Sequence, residues 1–233
     1  MNTLKKHIPN TITCCNLICG CIATWLAFDG LFHEALLFVI GGAVFDFFDG
    51  MSARLLHVSS PIGKELDSLA DVITFGFAPS AMAFSFLGSQ HIHLPAVPFL
   101  AFVMAAFSAL RLAKFNLDER QTLGFIGLPT PANALFWGSL LSWMDLSLWF
   151  EPYRLPTYYI YIVLALLALS CWLLVSEVPM FALKFKTWGW RGNEVKYVFI
   201  LTCIPLLLLL GTLGLAACIA WYVALSLLHR ENK

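Results

Sequence analysis

Eight apolar runs take up most of this chain, and the polar breaks between them are too short to fold alone. They cover residues 11–28, 33–56, 65–88, 94–113, 130–149, 157–183, 195–210 and 213–229. A helix needs roughly 20 apolar residues to cross a bilayer. Inside hydrocarbon every backbone polar group must be satisfied within the protein, which leaves helices or a closed barrel. Continuous apolar runs, rather than strands of about ten alternating residues, select helices. Composition agrees: 12% of the 233 residues are charged and mean hydropathy is +0.80, against about 25% charged in soluble domains. The expected fold is all-α, a polytopic membrane helix bundle of about eight transmembrane helices. It forms a single membrane domain over residues 1–233, with 1–10 as a short interfacial segment. The run 11–28 has no small-residue cleavage site after it and reads as a retained helix. A formal net charge of zero argues against a nucleic-acid partner.

Basic residues orient the bundle. With a cytoplasmic N-terminus and eight spans, Lys5, Lys6, Arg54, Lys64, Arg111, Lys114, Arg120, Lys184, Lys186, Arg191, Lys196, Arg230 and Lys233 fall on the cytoplasmic side. Only Arg154 falls outside, the asymmetry of an integral inner-membrane protein. Merging the last two runs across Gly211-Thr-Leu-Gly214 would move Arg230 and Lys233 outside, so eight spans and a cytoplasmic C-terminus are preferred. The tryptophans mostly fall near run ends, as an aromatic belt would. Cys14, Cys15, Cys19 and Cys21 lack tetrahedral ligand spacing and read as small packing residues. His91 and His93 read as solvated, and Lys184, Lys186 and Arg191 as contacts to anionic headgroups.

Four aspartates interrupt the apolar pattern. Asp46 and Asp49 are three apart near the end of the second run, and Asp67 and Asp71 are four apart at the start of the third. Each spacing puts a pair on one helical face. The two helices are antiparallel neighbours joined through Ser59-Ser60-Pro61, so the pairs can face each other. An ionised carboxylate in hydrocarbon is costly unless it meets a wet cavity, a partner or a metal. An all-carboxylate set suits a hard divalent cation, Mg²⁺ or Mn²⁺. With four acids two ions are possible, a recurrent device for displacement at phosphorus. Gly50, Ala53 and Gly63 are small and leave room for a bulky ligand. Arg54, one turn from Asp49, can reach a phosphate or the carboxylates.

The string Asp46-x2-Asp49-Gly50-x2-Ala53-Arg54-x8-Gly63-x3-Asp67-x3-Asp71 resembles the signature of the CDP-alcohol phosphotransferases at all eight positions. The resemblance implies an enzyme in which an alcohol attacks the β-phosphorus of a CDP-linked lipid and CMP leaves. It implies that Asp46, Asp49, Asp67 and Asp71 hold the metals, with Asp71 also the general base. Gly50, Ala53, Arg54 and Gly63 would line the CDP moiety. It further implies a homodimer with a cytoplasm-facing cavity.

Four segments outside the signature resemble the membrane-spanning phosphatidylserine synthases. They are Ile8-Pro9-Asn10 with Asn16-Leu-Ile-Cys-Gly20, Arg111-Leu-Ala-Lys114-Phe-Asn116, Gly127-Leu-Pro-Thr130-Pro131-Ala-Asn133, and Ser176-Glu-Val-Pro179. The implied substrates are CDP-diacylglycerol, within the membrane lipid, and L-serine. The other synthase type carries His-x-Lys-x4-Asp, and none of the six histidines here has Lys two residues on.

Serine brings a carboxylate and an ammonium group. Arg111 can grip the carboxylate with a bidentate fork. Lys114 lies at the same level, and Thr130 and Asn133 offer polar groups, although Thr130-Pro131 also reads as an ordinary helix start. Glycerol 3-phosphate or inositol phosphate as acceptor would call for a denser basic pocket than Arg111 and Lys114 supply. An ion-coupled transporter would explain intramembrane acids but not the Gly, Ala and Arg positions among them. It would also predict inverted repeats, which the sequence does not display.

Overall fold

The computed structural model describes residues 3–58, 60–90, 94–118, 125–150, 158–181, 183, 189–190 and 192–228. Among them the chain forms eight helical rods. These are α1 (Thr3–Phe28), α2 (Phe32–Leu55), a third rod, α5 (Phe102–Leu117), α6 (Thr130–Phe150), α7 (Tyr158–Val175), α8 (Glu194–Leu210) and α9 (Leu213–Leu228). The third rod runs unbroken through α3 (Pro61–Asp71), a π-helical turn (Val72–Phe77) and α4 (Ala78–Ser89). A 3₁₀ segment, Val97–Ala101, leads into α5.

His7–Phe28, Phe32–Leu55, Pro61–Ser89 and Val97–Leu117 are long and apolar enough to cross a membrane. Tyr159–Val175 and Leu213–Leu228 are shorter apolar helices. The outer faces match a hydrocarbon solvent: Leu208 and Leu209 on α8 are 80% and 82% exposed. Apolar surface on that scale is not left bare to water.

Local chemistry sets the breaks. α1 ends in a Schellman motif: Leu31 N–H donates to Leu26 O at 2.9 Å and Gly30 N–H to Ala27 O at 3.2 Å. Gly30 sits at φ +80°, where only glycine is unstrained. α3 starts on an N-cap, the Ser60 hydroxyl accepting from Gly63 N–H at 3.0 Å, with Pro61 in the first turn. α8 and α9 are separate helices, turned at Gly211 (φ +54°).

The main core lies between α1, α2, α4, α5, α6 and α7, around Phe32, Met82, Phe86, Met104, Trp137 and Leu141. A smaller core, with Leu128, Leu173, Phe199 and Tyr222, packs α8 and α9 against the ends of α6 and α7.

Several boundaries differ from expectation. Residues 3–10 form the first turns of α1, which continues through Pro9. Pro9, the seventh residue of α1, removes one i→i−4 backbone bond from the helix. The run 157–183 stops being helical after Val175. There Pro179–Met180 pairs with Phe125–Ile126 as a two-stranded antiparallel clasp in an otherwise helical chain. Trp137 and Trp221 are not belt residues. The Trp137 indole donates to Ser170 Oγ at 2.9 Å, and that of Trp221 to Thr202 Oγ1 at 2.8 Å, each fastening one helix to another. His91, His93, Arg120, Arg154, Lys184, Lys186, Arg191, Arg230 and Lys233 lie outside the described residues, as do the side chains of Lys5 and Lys6.

Candidate active site

The acidic ends of α2 and α3 do not pack on each other, as direct neighbours would. α1 packs against both and forms the floor between them, so the two acidic faces look across a cleft. The cleft encloses about 270 Å³ and is lined by Asn10 and Thr13 of α1, Asp49, Gly50 and Ala53 of α2, the N-cap Ser60, and Gly63, Lys64 and Asp67 of α3. The splay has a physical cause. The small residues Gly50, Ala53 and Gly63 leave the space.

Asp46, Asp49 and Asp67 each present a carboxylate oxygen, all within 4.8 Å of one another. At an effective dielectric of about 20, two unit charges at that separation repel by roughly 3–4 kcal/mol. Three such pairs need a positive partner. Asp67 Oδ1 is buried with no hydrogen-bond partner, while Asp49 Oδ2 accepts from the Thr13 hydroxyl at 2.6 Å. Hard oxygen donors, a short mutual separation and an orphaned carboxylate oxygen fit a divalent cation.

Asp71 stands apart from that trio. It closes α3 one turn beyond Asp67, is buried, and accepts from Asn16 Nδ2 at 3.1 Å. The π-helical turn begins immediately after it, and Thr74 within that turn donates to the Asn16 carbonyl at 3.0 Å. Asn16 thus fixes both the carboxylate and the backbone that carries it.

Gly50, Ala53 and Gly63 all line the cleft. Arg54 is exposed and does not line its interior. Its guanidinium folds back along α2, so a Cβ added at Gly50 would lie 4.0 Å from Arg54 Nη2, at the cleft's edge.

Beyond Asp71 the structure brings Arg111 and Thr130 together. Arg111 is buried, its Nη1 donates to Thr130 Oγ1 at 3.5 Å, and its guanidinium lies 5.0 Å from the Phe115 ring centre. Thr130 opens α6 with its hydroxyl turned to Arg111, and Asn133, fully buried, follows one helical turn later. Lys114 does not join them: it is exposed at the end of α5, near water rather than in the bundle.

Residues of α1 were given no site role from the sequence, yet Asn10, Thr13 and Asn16 all face the acidic groups. The signal was present. Three polar residues recur every third position through the start of an otherwise apolar run, which makes a polar stripe. In the sequence Lys64 marks only the topology. It lines the cleft, and its ammonium donates to Asn116 O at 3.1 Å, joining the start of α3 to the end of α5.

The clasp explains two more motifs. Gly127 N–H donates to Val178 O and Leu128 N–H to Leu173 O, both at 2.9 Å. Gly127 adopts φ +76°, and a Cβ there would meet the carbonyl oxygens of Leu174 and Ser176 at 2.9 Å. The Tyr222 hydroxyl donates to Phe181 O at 2.9 Å, closing the clasp from α9. Segments 127–133 and 176–179, far apart in sequence, are one structural unit that sets where α6 begins.

A family model described as CDP-alcohol phosphatidyltransferase matches residues 6–228, nearly the whole chain. The chain belongs to the CDP-alcohol phosphatidyltransferase family. Relatives carrying the name CDP-diacylglycerol–serine O-phosphatidyltransferase include one from Bacillus subtilis, 42% identical over 130 residues, or 54% of this chain and 70% of that protein. One from Methanocaldococcus jannaschii is 31% identical over 188 residues, 76% of this chain and 87% of the relative. One from Helicobacter pylori is 36% identical over 129 residues, and that match spans only 54% of the relative.

Proposed function

We propose that this protein transfers the phosphatidyl group of CDP-diacylglycerol to L-serine, giving phosphatidylserine and CMP. The observation that carries the reading is the pairing, within one bundle, of a carboxylate cleft with a buried Arg111–Thr130 group beside it. Family membership and the names of the relatives support the same reaction.

The cleft takes the CDP headgroup. Gly50, Ala53 and Gly63 leave room for the pyrophosphate and cytidine, Arg54 meets phosphate at the edge, and the α3 N-terminus adds a favourable dipole. An apolar groove of about 330 Å³ on α2, lined by Ile40, Ala43, Val44, Phe47 and Phe48 with Leu135 and Leu215, suits an acyl chain. Phe47 and Phe48 separate Asp46 from Asp49, so tail and headgroup would be held by one stretch of α2.

Asp46, Asp49 and Asp67, with Asp71 next to them, would hold Mg²⁺ or Mn²⁺, two ions being the number expected for four carboxylates. When bound, such ions neutralise the pyrophosphate and the departing CMP, most of what phosphoryl transfer asks of a protein.

The chain's own groups do the rest. Arg111, with Thr130, orients the serine carboxylate, and Asn133 lies in the same serine pocket. Asp71, held by Asn16, takes the hydroxyl proton as serine Oγ bonds to the β-phosphorus. The bond from that phosphorus to the bridging oxygen breaks, and CMP leaves with the electron pair. General-base help of this kind contributes about 10²–10⁴ in rate. The same reading carries eight membrane spans with both termini cytoplasmic, a site opening to the cytoplasm from the inner membrane, and a homodimer.

The test is CMP release by purified protein in detergent, with CDP-diacylglycerol, Mg²⁺ or Mn²⁺, and serine, glycerol 3-phosphate or inositol phosphate offered separately. Release with serine alone, abolished by chelator and by Asp71→Asn, is the expected result. Release only with a phosphorylated alcohol would keep the family and discard serine.

A further inference from the structure

The group around Arg111 holds more unpaired polarity than a carboxylate grip needs. Among the described residues, six buried side-chain atoms lack a hydrogen-bond partner: Asn16 Oδ1, Asp67 Oδ1, Ser108 Oγ, Arg111 Nε, Asn133 Nδ2 and Asn133 Oδ1. Four of the six belong to Ser108, Arg111 and Asn133, which are 0%, 6% and 0% exposed. Buried polar atoms are almost always paired, so a cluster of orphans marks missing partners.

Their positions converge. Ser108 lies one turn before Arg111 on α5, and Asn133 one turn after Thr130 on α6. The contact between Arg111 and Thr130 brings those two helix faces together. A Cβ on Gly76, in the π-helical turn just past Asp71, would lie 3.0 Å from Ser108 Cβ, so the reacting end of the third rod presses on the same spot.

The orphans also have a definite polarity. Arg111 Nε and Asn133 Nδ2 are donors, one of them cationic. Asn133 Oδ1 is an acceptor, and Ser108 Oγ can accept as well as donate. A phosphorylated alcohol brings an anion for the guanidinium but only neutral hydroxyls, and no cation, for the two oxygens. A simple polyol would leave the guanidinium without an anion. A zwitterion satisfies both sets, its carboxylate on the donors and its ammonium on the acceptors.

We infer that Ser108 and Asn133 determine acceptor specificity, taking the ammonium group of a zwitterionic amino alcohol whose carboxylate is held by Arg111. The inference rests on the proposed serine transfer and adds the residues that make it selective. Ser108 lies outside every motif that the sequence singled out.

The experiment measures CMP release with CDP-diacylglycerol by wild type, Ser108→Ala and Asn133→Leu. The acceptors are L-serine and 3-hydroxypropionate, which keeps the hydroxyl and carboxylate but lacks the ammonium. Wild type should prefer L-serine strongly. Each variant should raise the serine KM about tenfold or more, the scale of one lost bond to a charged group, and shrink the preference by a similar factor. The KM for CDP-diacylglycerol and the metal dependence should move less than about twofold, a split that general loss of packing would not produce. Ser108→Ala removes a single atom and guards against misfolding of the Asn133 variant. Unchanged preference in both variants, or wild type using the two acceptors equally, would overturn the inference while leaving serine transfer intact. Wild type inert toward L-serine would overturn the reading beneath it.

Discussion

Thr13→Val removes one oxygen from the floor of the cleft and should weaken metal binding without touching the serine side. The Thr13 hydroxyl has a single proton and two acceptors within reach, Pro9 O at 3.1 Å and Asp49 Oδ2 at 2.6 Å. The shorter contact, to a carboxylate, takes it. Both residues are buried, Thr13 at 3% exposure and Asp49 at 6%, so water cannot replace the lost donor. A hydrogen bond to a charged group is worth about 1.5–3 kcal/mol net. At about 1.4 kcal/mol per decade, that is roughly 10- to 150-fold. The usual effect of losing a partner that orients a metal ligand, about 10–100-fold, is the same size. Titrating Mg²⁺ or Mn²⁺ in the CMP-release assay should show the half-saturating concentration rising by about one to two decades. The serine KM should be unchanged, and Thr13→Ser should restore the wild-type curve. A folded Thr13→Val protein with unaltered metal dependence would refute the reasoning, as would a Ser variant no better than Val.

Asp67→Asn swaps a carboxylate with one unpartnered oxygen for a neutral amide and should cut CMP release by more than about 10²-fold, exceeding the loss from a supporting residue; activity within tenfold of wild type would remove Asp67 from the metal set. Gly127→Ala forces a Cβ against two carbonyl oxygens at φ +76°. A strained backbone of that kind costs about 1–3 kcal/mol, and thermal unfolding in detergent should show a fall of several degrees. Ser139 Oγ donates to Thr212 O at 2.6 Å and accepts from Ala216 N–H at 2.9 Å. Ser139→Ala should therefore destabilise by about 1–3 kcal/mol while leaving the serine KM unchanged. Lys114→Ala, at an exposed position, should leave the serine KM within about twofold; a large rise would return Lys114 to the pocket.

Helices were legible because their cause is local. An apolar run near 20 residues has one low-energy form in lipid, and α2, α6, α8 and α9 begin and end within a residue or two of the runs that announced them. The aspartate spacings were legible for the same reason, since three- and four-residue intervals fix a helical face whatever the neighbours do. The exit from helix after Val175 was not. Its cause is the pairing of Pro179–Met180 with a segment more than fifty residues earlier.

By itself the sequence determined that this chain is a membrane helix bundle with an acidic, metal-competent face on two consecutive helices and the signature of its family. Hydrophobicity and helical periodicity act over a few residues and need no partner to be read. Tertiary structure alone decided that the acidic faces meet across a cleft floored by α1 and that Asp71 leans on Asn16 while the other three carboxylates converge. It also decided that Arg111 is buried against Thr130 while Lys114 faces out. Each of these is a contact between segments far apart in the chain, selected by packing and by the cost of leaving a buried polar atom unpaired.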